Sequence, residues 1–322
     1  MSNPMRPNGQ MIRGRDLVSS ADLSPEETHE VIRLAIGMKS IGIEEAGARP
    51  MLGESVALIF EKQSCRTRVT FEAGLVQLGA HPIFLTQADI GLGTRESIPD
   101  IARNLSRWVS GIVARTYAHK TVVDLAEYAS VPVINALSDR EHPCQALADF
   151  QTIIERAGSA PGFNLAYIGD GNNVLHSLLI VGAQLGVNIC SATPAGYDPD
   201  PEIVSLAQNI AAVSGSKLSF TRDPFEAVRG AEAVYTDVWT SMGQEAERDQ
   251  RLKVFAPYQV NARLMAEASG AFVLHCLPAH RGEEITDDVI DGPQSAVLDQ
   301  AENRLWAQKA LVAMTMANGD KA

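Results

Sequence analysis

The sequence has few cysteines, fewer basic than acidic residues, and no long hydrophobic run. Its four cysteines lie far apart in the chain: Cys65, Cys144, Cys190 and Cys276. Without a CxxC pair, they exclude a disulfide-stapled scaffold and argue against a zinc ribbon. No segment approaches the roughly 18 apolar residues of a transmembrane helix. The polar segment from Met1 to Arg15 lacks the apolar stretch of a secretory signal. We therefore expect a reduced, cytoplasmic protein.

Basic residues are too few to give the chain affinity for polyanions. Lys and Arg total 27 against 39 Asp and Glu, so the formal net charge is −12. This field repels nucleic acid and anionic membranes, and neither is an expected partner. If an anionic ligand binds, local arginines must hold it against the overall charge.

The order of elements predicts an α/β protein of two domains, because 322 residues exceed the usual size of one domain. Short buried-strand patterns alternate with helical spacing, which indicates parallel sheets flanked by helices. The patterns fall at residues 56–60, 111–114, 132–135, 165–168, 188–193, 233–236 and 271–274. Phe71, Leu75 and Leu78 share one helical face, and Gly79 is a natural stop.

A cluster of helix-breaking residues at 158–162 follows a predicted helix at 144–157, and we place the domain boundary beside it. The first domain then covers residues 1–145 and the second residues 146–300. The last helix, at about 301–317, is expected to pack back across the junction. Residues 301–322 are therefore assigned to the first domain.

The residues after the first strand suit an oxyanion. Ser64-Cys65-Arg66-Thr67 opens a helix, where free N–H groups and the helix dipole favour negative charge and a guanidinium adds two donors. Arg115 follows another strand of the same domain. The alternative is a solvated first turn with surface arginines, but two arginines at strand ends favour a phosphate-sized anion.

A histidine and a glutamine follow the fourth predicted strand. His142 and Gln145 are three residues apart, on one face of a first helical turn. Together they could polarise a carbonyl group and orient an NH2 group. The alternative is a histidine that only caps the helix.

The turn Gly169-Asp170-Gly171-Asn172-Asn173 is close to a dinucleotide-binding fingerprint but departs from it. Val174 occupies the position of the third glycine, and the next strand ends without the expected acidic residue. A nicotinamide cofactor is therefore disfavoured, and we expect no cofactor. The asparagines could instead hold a carboxylate or an amine.

Two further strand ends carry polar groups. Asp237 precedes a loop that contains Gly243, an arrangement suited to an ammonium group, although Asp237 could simply cap the turn. His275, Cys276 and His280 could bind a metal, but neighbours on a strand point to opposite faces, so we expect no metal. A Cys–His hydrolase is the other alternative, and no oxyanion-hole signal accompanies it.

Taken in order, these motifs resemble the aspartate/ornithine carbamoyltransferase family, most closely its ornithine branch. The Ser-x-Arg-Thr-Arg motif at 64–68 and the His-Pro-x-Gln motif at 142–145 are shared by the wider family. The segments at 237–243 and 275–278 are specific to the ornithine branch. The resemblance spans nearly the whole chain.

The resemblance implies transfer of the carbamoyl group of carbamoyl phosphate to the δ-amine of L-ornithine, which yields L-citrulline and phosphate. It implies a homotrimer and two sets of binding residues. The set for carbamoyl phosphate is Ser64, Cys65, Arg66, Thr67, Arg115, His142, Gln145, Cys276, Leu277 and Arg304. The set for ornithine is Asn173, Asp237, Ser241 and Met242. The implied catalytic residues are Arg66, Arg115, His142, Asp237 and Cys276.

The sequence departs from the family pattern at two positions. Cys65 stands where the family usually has Thr, so one hydroxyl donor to phosphate is missing. Gly91 lies where the family often carries Gln, and no role is assigned to it. Three alternatives stay open: a carbamoyltransferase for another amine, an NAD-dependent oxidoreductase, and a catalytically inactive relative with a binding role.

Overall fold

The computed structural model describes residues 12–45, 49–240 and 245–317, of which the side chains of 42–45 and Glu245 are not described. Within these ranges the chain divides into two compact units. Unit 1 runs to Gln151 and resumes at Asn303, and unit 2 runs from Thr152 to Glu302. Among the described residues, no helix combines the length and the hydrophobicity needed to cross a membrane.

Unit 1 alternates helices with four strands. Its elements are α1 (Pro25–Glu45), β1 (Ser55–Phe60), α2 (Cys65–Leu78), β2 (His81–Thr86), α3 (Gln87–Ile90), α4 (Ile98–Leu105), β3 (Gly111–Arg115), α5 (His119–Tyr128), β4 (Val133–Leu137) and α6 (Pro143–Ala157), which runs on into unit 2. The strands form one parallel sheet in the order β2-β1-β3-β4. The strand after β1 is therefore added on one side of it, and β3 and β4 are added on the other side. We call this change of side, between β1 and β3, a reversal of the strand order.

Unit 2 repeats this architecture with five strands. Its elements are β5 (Asn164–Ile168), α7 (Asn173–Gln184), β6 (Asn188–Ala192), α8 (Pro201–Ser214), β7 (Leu218–Thr221), α9 (Pro224–Val228), β8 (Ala233–Thr236), α10 (Arg248–Phe255), α11 (Ala262–Glu267), β9 (Phe272–His275), α12 (Asp287–Ile290) and α13 (Val297–Met316). The parallel sheet has the order β7-β6-β5-β8-β9. Here the reversal lies between β5 and β8.

The α/β class with two parallel sheets is confirmed, and so is the return of the last helix. After its first turns, α13 belongs to unit 1, where it contacts α1, α2 and α6. Gly79 ends α2 in the left-handed region with φ +93°, as its position after Leu78 predicts. Arg115 and His275 are the last residues of their strands, whereas the sequence places them just after.

Two edge strands, β2 and β7, were not predicted. Their side chains are mostly half-buried or exposed, so neither shows the continuous apolar run of a central strand. Pro82 lies within β2, a residue that sheets tolerate at an edge because it cannot donate to a neighbour. Central strand β1, by contrast, is buried from Val56 to Phe60.

The two reversals decide where ligands can bind. In open parallel sheets, the loops after two strands separate at such a reversal and leave a crevice at the carboxyl ends. In unit 1 this crevice follows Phe60 and Arg115, which are paired in register. In unit 2 it follows Ile168 and Thr236, also paired in register. Both positions coincide with the polar motifs found in the sequence.

Candidate active site

The first turn of α2 is built by Ser64 and Thr67. Ser64 is the N-cap, and its Oγ accepts a hydrogen bond from the backbone N–H of Thr67 at 3.2 Å. The Thr67 Oγ1 in turn accepts from Nη2 of Arg304 at 3.2 Å. Because both hydroxyl oxygens accept from the protein, the protons of both hydroxyls remain available to an anion at the helix N-terminus. Cys65, at the start of the helix, is exposed.

Arg304 organises this end of unit 1 from within. It is 2% exposed and donates from Nη1 to Oε1 of Gln145, in addition to Thr67. Gln308, with its amide oriented to satisfy both polar atoms, accepts from Nη2 of Arg304 at 2.8 Å and donates to Thr70 at 2.6 Å. One guanidinium group thereby ties α13 to both α2 and α6.

Gln145 is held from both ends of its amide. Its Oε1 accepts from Arg304, and its Nε2 donates to Oδ1 of the buried Asp149 at 2.8 Å. The side chain is 1% exposed and its orientation is therefore fixed. The sequence predicts a role for this amide but gives no sign of Asp149, which supports it one helical turn later.

Three arginines act through their charges on a buried histidine. His142 and Arg115 are 5% and 6% exposed, respectively. Burial, together with the guanidinium groups of Arg304, Arg115 and Arg66, holds the pKa of His142 well below its usual range. The imidazole is therefore neutral at pH 7, and the excess positive charge is carried by the arginines. A small, highly charged anion is the ligand that such a field favours.

Lys62 is a basic residue of this site that sequence reasoning missed. It is almost wholly buried, and its Nζ lies 4.7 Å from the centre of the Tyr117 ring. Burial, and next the charge of Arg115, lowers its pKa. Its position two residues before Ser64 was the signal that could have identified it.

Unit 2 gathers a carboxylate, a thiol and an amide at the ends of β5, β8 and β9. The Asp237 carboxylate accepts from Nδ2 of Asn172 at 2.8 Å, from Sγ of Cys276 at 3.0 Å and from its neighbour's N–H at 2.8 Å. Asn172 also caps α7, since its Oδ1 accepts from Val174 and Leu175. Asn173, the first residue of α7, is half-buried.

The glycine at position 171, in the turn after β5, is required by the packing of the chain itself. A Cβ on Gly171 would lie 2.3 Å from the backbone carbonyl carbon of Asp198, so only glycine fits there. The close approach that a dinucleotide fingerprint reserves for a pyrophosphate is made here by the chain itself. Asp170, at the same turn, forms a buried ion pair with Arg251 at 2.8 Å.

That ion pair fixes the start of the segment after β8. Arg251 also donates to the carbonyl oxygen of Trp239 at 2.8 Å, and its guanidinium lies 4.9 Å from the Tyr197 ring. Burial raises the pKa of Asp170, and Arg251 opposes part of this rise. Ser241 and Met242, predicted to bind ornithine, lie outside the described residues.

The prediction that His275 and Cys276 point to opposite faces is wrong. Their ligand atoms and those of Asp237 all lie within 4.8 Å of one another. Cys276 follows the last residue of β9, and the alternation of a strand ends there. Both ring nitrogens of His275 nevertheless have other partners, the N–H of Leu277 and the carboxylate of Glu284. The Cys276 thiol is bonded to Asp237, which is not the pairing of a Cys–His hydrolase.

Comparison with known proteins agrees with both halves of this geometry. Residues 15–155 match the family model "Aspartate/ornithine carbamoyltransferase, carbamoyl-P binding domain", and residues 161–315 match "Aspartate/ornithine carbamoyltransferase, Asp/Orn binding domain". The chain is 52% identical over 306 residues to an ornithine carbamoyltransferase of Thermococcus kodakarensis, covering 95% of this chain and 97% of that protein.

Similar proteins from Pyrococcus furiosus extend the comparison to a solved structure. A protein named "Ornithine carbamoyltransferase, anabolic" is 50% identical over 309 residues, covering 95% of this chain and 96% of the relative. A solved structure of ornithine carbamoyltransferase from the same organism has a TM-score of 0.93 at 50% identity, covering 96% of this chain and 99% of the other.

The first prediction concerns the charge of His142. Its imidazole should stay neutral below pH 6.5, where the unfolded chain already takes up a proton, so this group lowers stability as the pH falls. Saturating inorganic phosphate should raise the pKa of His142, because a bound dianion opposes the field of the arginines. Titration of the ring signals by NMR tests both statements. An unchanged midpoint with phosphate would contradict the proposed anion site.

The second prediction concerns the buried ion pair of unit 2. Arg251→Met should lower the free energy of unfolding by about 3–5 kcal/mol, because Asp170 is left buried without its partner. Arg248→Met is the matched control on the same helix, since it removes only an exposed pair with Glu283. It should cost less than about 1 kcal/mol. Urea unfolding measures both, and equal losses would show that Arg251 does not anchor this segment.

Proposed function

Because the chain belongs to the aspartate/ornithine carbamoyltransferase family, we propose that it transfers the carbamoyl group of carbamoyl phosphate to the δ-amine of L-ornithine. The products are L-citrulline and phosphate. The observation that carries this proposal is the buried His142, whose pKa is lowered by burial and by the charges of Arg304, Arg115 and Arg66, the last of which lies in the first turn of α2. We assign carbamoyl phosphate to residues 1–145 with 301–322, and ornithine to residues 146–300.

The phosphate end of carbamoyl phosphate is assigned to the first turn of α2. The hydroxyl protons of Ser64 and Thr67 and the first-turn N–H groups, including that of Cys65, are the donors there. Arg66 and Arg115 add charge-assisted hydrogen bonds. As phosphate leaves, these groups stabilise the dianion that forms. The missing hydroxyl at Cys65 removes one neutral hydrogen bond, worth about 0.5–1.5 kcal/mol.

The carbamoyl group is assigned to His142, Gln145 and Arg304 of unit 1, and the family resemblance implies the main chain at Cys276 and Leu277 for the same group. A neutral imidazole can donate one hydrogen bond to the carbonyl oxygen as charge develops there, and Arg115 strengthens the effect through its field. Arg304 is held by Gln145, Thr67 and Gln308, so its first effect is to fix the Gln145 amide. That amide then has one orientation toward the carbamoyl NH2.

The amino-acid end of ornithine is assigned to Asn173, Asp237, Ser241 and Met242. The Asp237 carboxylate, with three donors already in place, presents fixed negative charge to an ammonium group. The attacking δ-amine must lose its proton first, because a free alkylamine has a pKa of about 10.4 and only about one in 2,500 is neutral at pH 7. Asp237 and Cys276 are the polar groups that receive this proton or pass it on.

The biological setting is part of the same proposal. Similarity to a relative named as anabolic supports a role in arginine biosynthesis. The proposal includes a cytoplasmic protein, and the overall charge supports small-molecule substrates, rather than nucleic acid or membranes, as its partners. The family resemblance supports a homotrimer. The assigned residues perform this transfer with protein groups alone, so the proposal includes no cofactor and no metal.

The third prediction separates the two substrate sites. Wild-type protein should form citrulline from carbamoyl phosphate and ornithine. Arg66→Gly should abolish calorimetric binding of carbamoyl phosphate, because a principal guanidinium donor is lost. Asp237→Asn should leave that binding unchanged while lowering turnover with ornithine by roughly 10²-fold or more and altering its pH profile.

Arg68→Gly is the matched control, because Arg68 is exposed, pairs with Glu72 on α2 and lies two residues after Arg66. It should bind carbamoyl phosphate as the wild type does. Normal binding by Arg66→Gly would contradict the anion assignment. An unchanged pH profile of Asp237→Asn would remove Asp237 from the path of the proton.

A further inference from the structure

The turn that follows β9 is held by a hydrogen bond to a buried histidine. His275 is 1% exposed, and its Nδ1 accepts a hydrogen bond from the backbone N–H of Leu277 at 2.9 Å. Its Nε2 lies 3.0 Å from Oε1 of Glu284, a residue with no exposed surface. Because a backbone N–H can only donate, Nδ1 carries no proton, and the ring proton lies on Nε2. Glu284 therefore fixes the tautomer that Leu277 requires.

Glu284 holds both ends of the same turn. Besides His275, its Oε1 accepts from the backbone N–H of His280 at 2.6 Å. The backbone carbonyl oxygen of Glu284 accepts from the N–H of Val260 at 2.8 Å, and this bond ties the main chain of Glu284 to a neighbouring segment. Two donors from the start and the end of the turn thus converge on one buried oxygen.

The backbone between these two ends is unusual. Leu277 has φ +58°, in the left-handed region that branched side chains rarely adopt. Such a conformation is strained and persists only where the surroundings determine it, often at functional sites. The hydrogen bond from Leu277 to His275 is the interaction that holds this peptide.

We propose that His275 and Glu284 are positioning residues that orient the Leu277 main chain toward the carbamoyl group. This inference rests on the proposed function. Since His275 consumes the N–H of Leu277, the carbonyl oxygen is the main-chain group of that residue that can accept from the carbamoyl NH2. Cys276, between them, is set at the same time against Asp237. The pair acts through Leu277 and touches no substrate.

Two substitutions of His275 separate positioning from stability. The amide oxygen of His275→Asn lies near the place of Nδ1 and keeps an acceptor for Leu277, but it loses Glu284. The amide nitrogen of His275→Gln reaches the place of Nε2 and keeps Glu284, but it loses the acceptor for Leu277. A purely structural role predicts that His275→Gln, which keeps both donors of the buried Glu284 carboxylate, is both the more stable and the more active variant.

The positioning role predicts the opposite order for activity. His275→Gln should unfold at the higher urea concentration yet have a kcat roughly 10²-fold below that of the wild type, the cost of a displaced reacting group. His275→Asn should be less stable but turn over faster than His275→Gln. Both should bind inorganic phosphate as the wild type does, since the residues assigned to phosphate lie in unit 1. A kcat that follows the order of stability would overturn the inference.

A second measurement does not depend on catalysis. In the wild type, ¹⁵N NMR of the His275 ring should show a proton on Nε2 and none on Nδ1. Glu284→Gln, which still offers an acceptor oxygen to Nε2, should keep this tautomer. A proton on Nδ1 would overturn the inference. A wild-type protein that forms no citrulline would refute the proposed function. The ring signals would still show whether His275 accepts from Leu277 and donates to Glu284.

Discussion

The structure depends above all on the concentration of positive charge around His142 in a protein whose net charge is −12. Guanidinium groups repel one another and lose hydration when they are buried, so such a cluster lowers stability unless other contacts compensate. Arg304 shows how compensation is achieved, because its donors are taken up by Gln145, Thr67 and Gln308. The charges of Arg304, Arg115 and Arg66 still act on His142, and this is the field on which the proposed anion site depends.

Unit 2 buries a negative charge, the carboxylate of Asp237, where unit 1 buries positive charges. Asp237 is buried, but three donors satisfy its carboxylate and fix its direction. The donors come from the ends of neighbouring strands, so the sheet itself sets the geometry. Asp170 and Arg251 form a buried ion pair in the same unit, and this pair supports the segment that follows β8. Each unit thus places buried polar side chains at the carboxyl ends of its strands and braces them with buried polar partners.

Local sequence patterns predicted the strand ends and the residues just after them, since both depend on short-range hydrophobicity and helix-start chemistry. Ser64 to Thr67, His142 and Asp237 were found in this way. The edge strands β2 and β7 were missed because half-exposed strands lack an apolar run. The face of Cys276 was mispredicted because the strand rule was extended one residue past β9.

The supporting residues were missed for a different reason. Arg251 meets Asp170 across 81 positions of the chain, and Asn172 meets Asp237 across 65. No periodicity encodes such pairs, because they form only when separate strands come together. The side chains to which we assign the chemistry follow from sequence motifs, whereas those that hold them in place follow from topology.

The anion site at the first turn of α2 can be tested by a crystal structure of the protein with a phosphonate analogue of carbamoyl phosphate. We expect density for the phosphonate group within hydrogen-bonding distance of the first-turn N–H groups of α2, with Arg66 and Arg115 turned toward it. A phosphonate bound elsewhere on the protein, with this turn unoccupied, would show that the arginines and the helix N-terminus do not form the phosphate site.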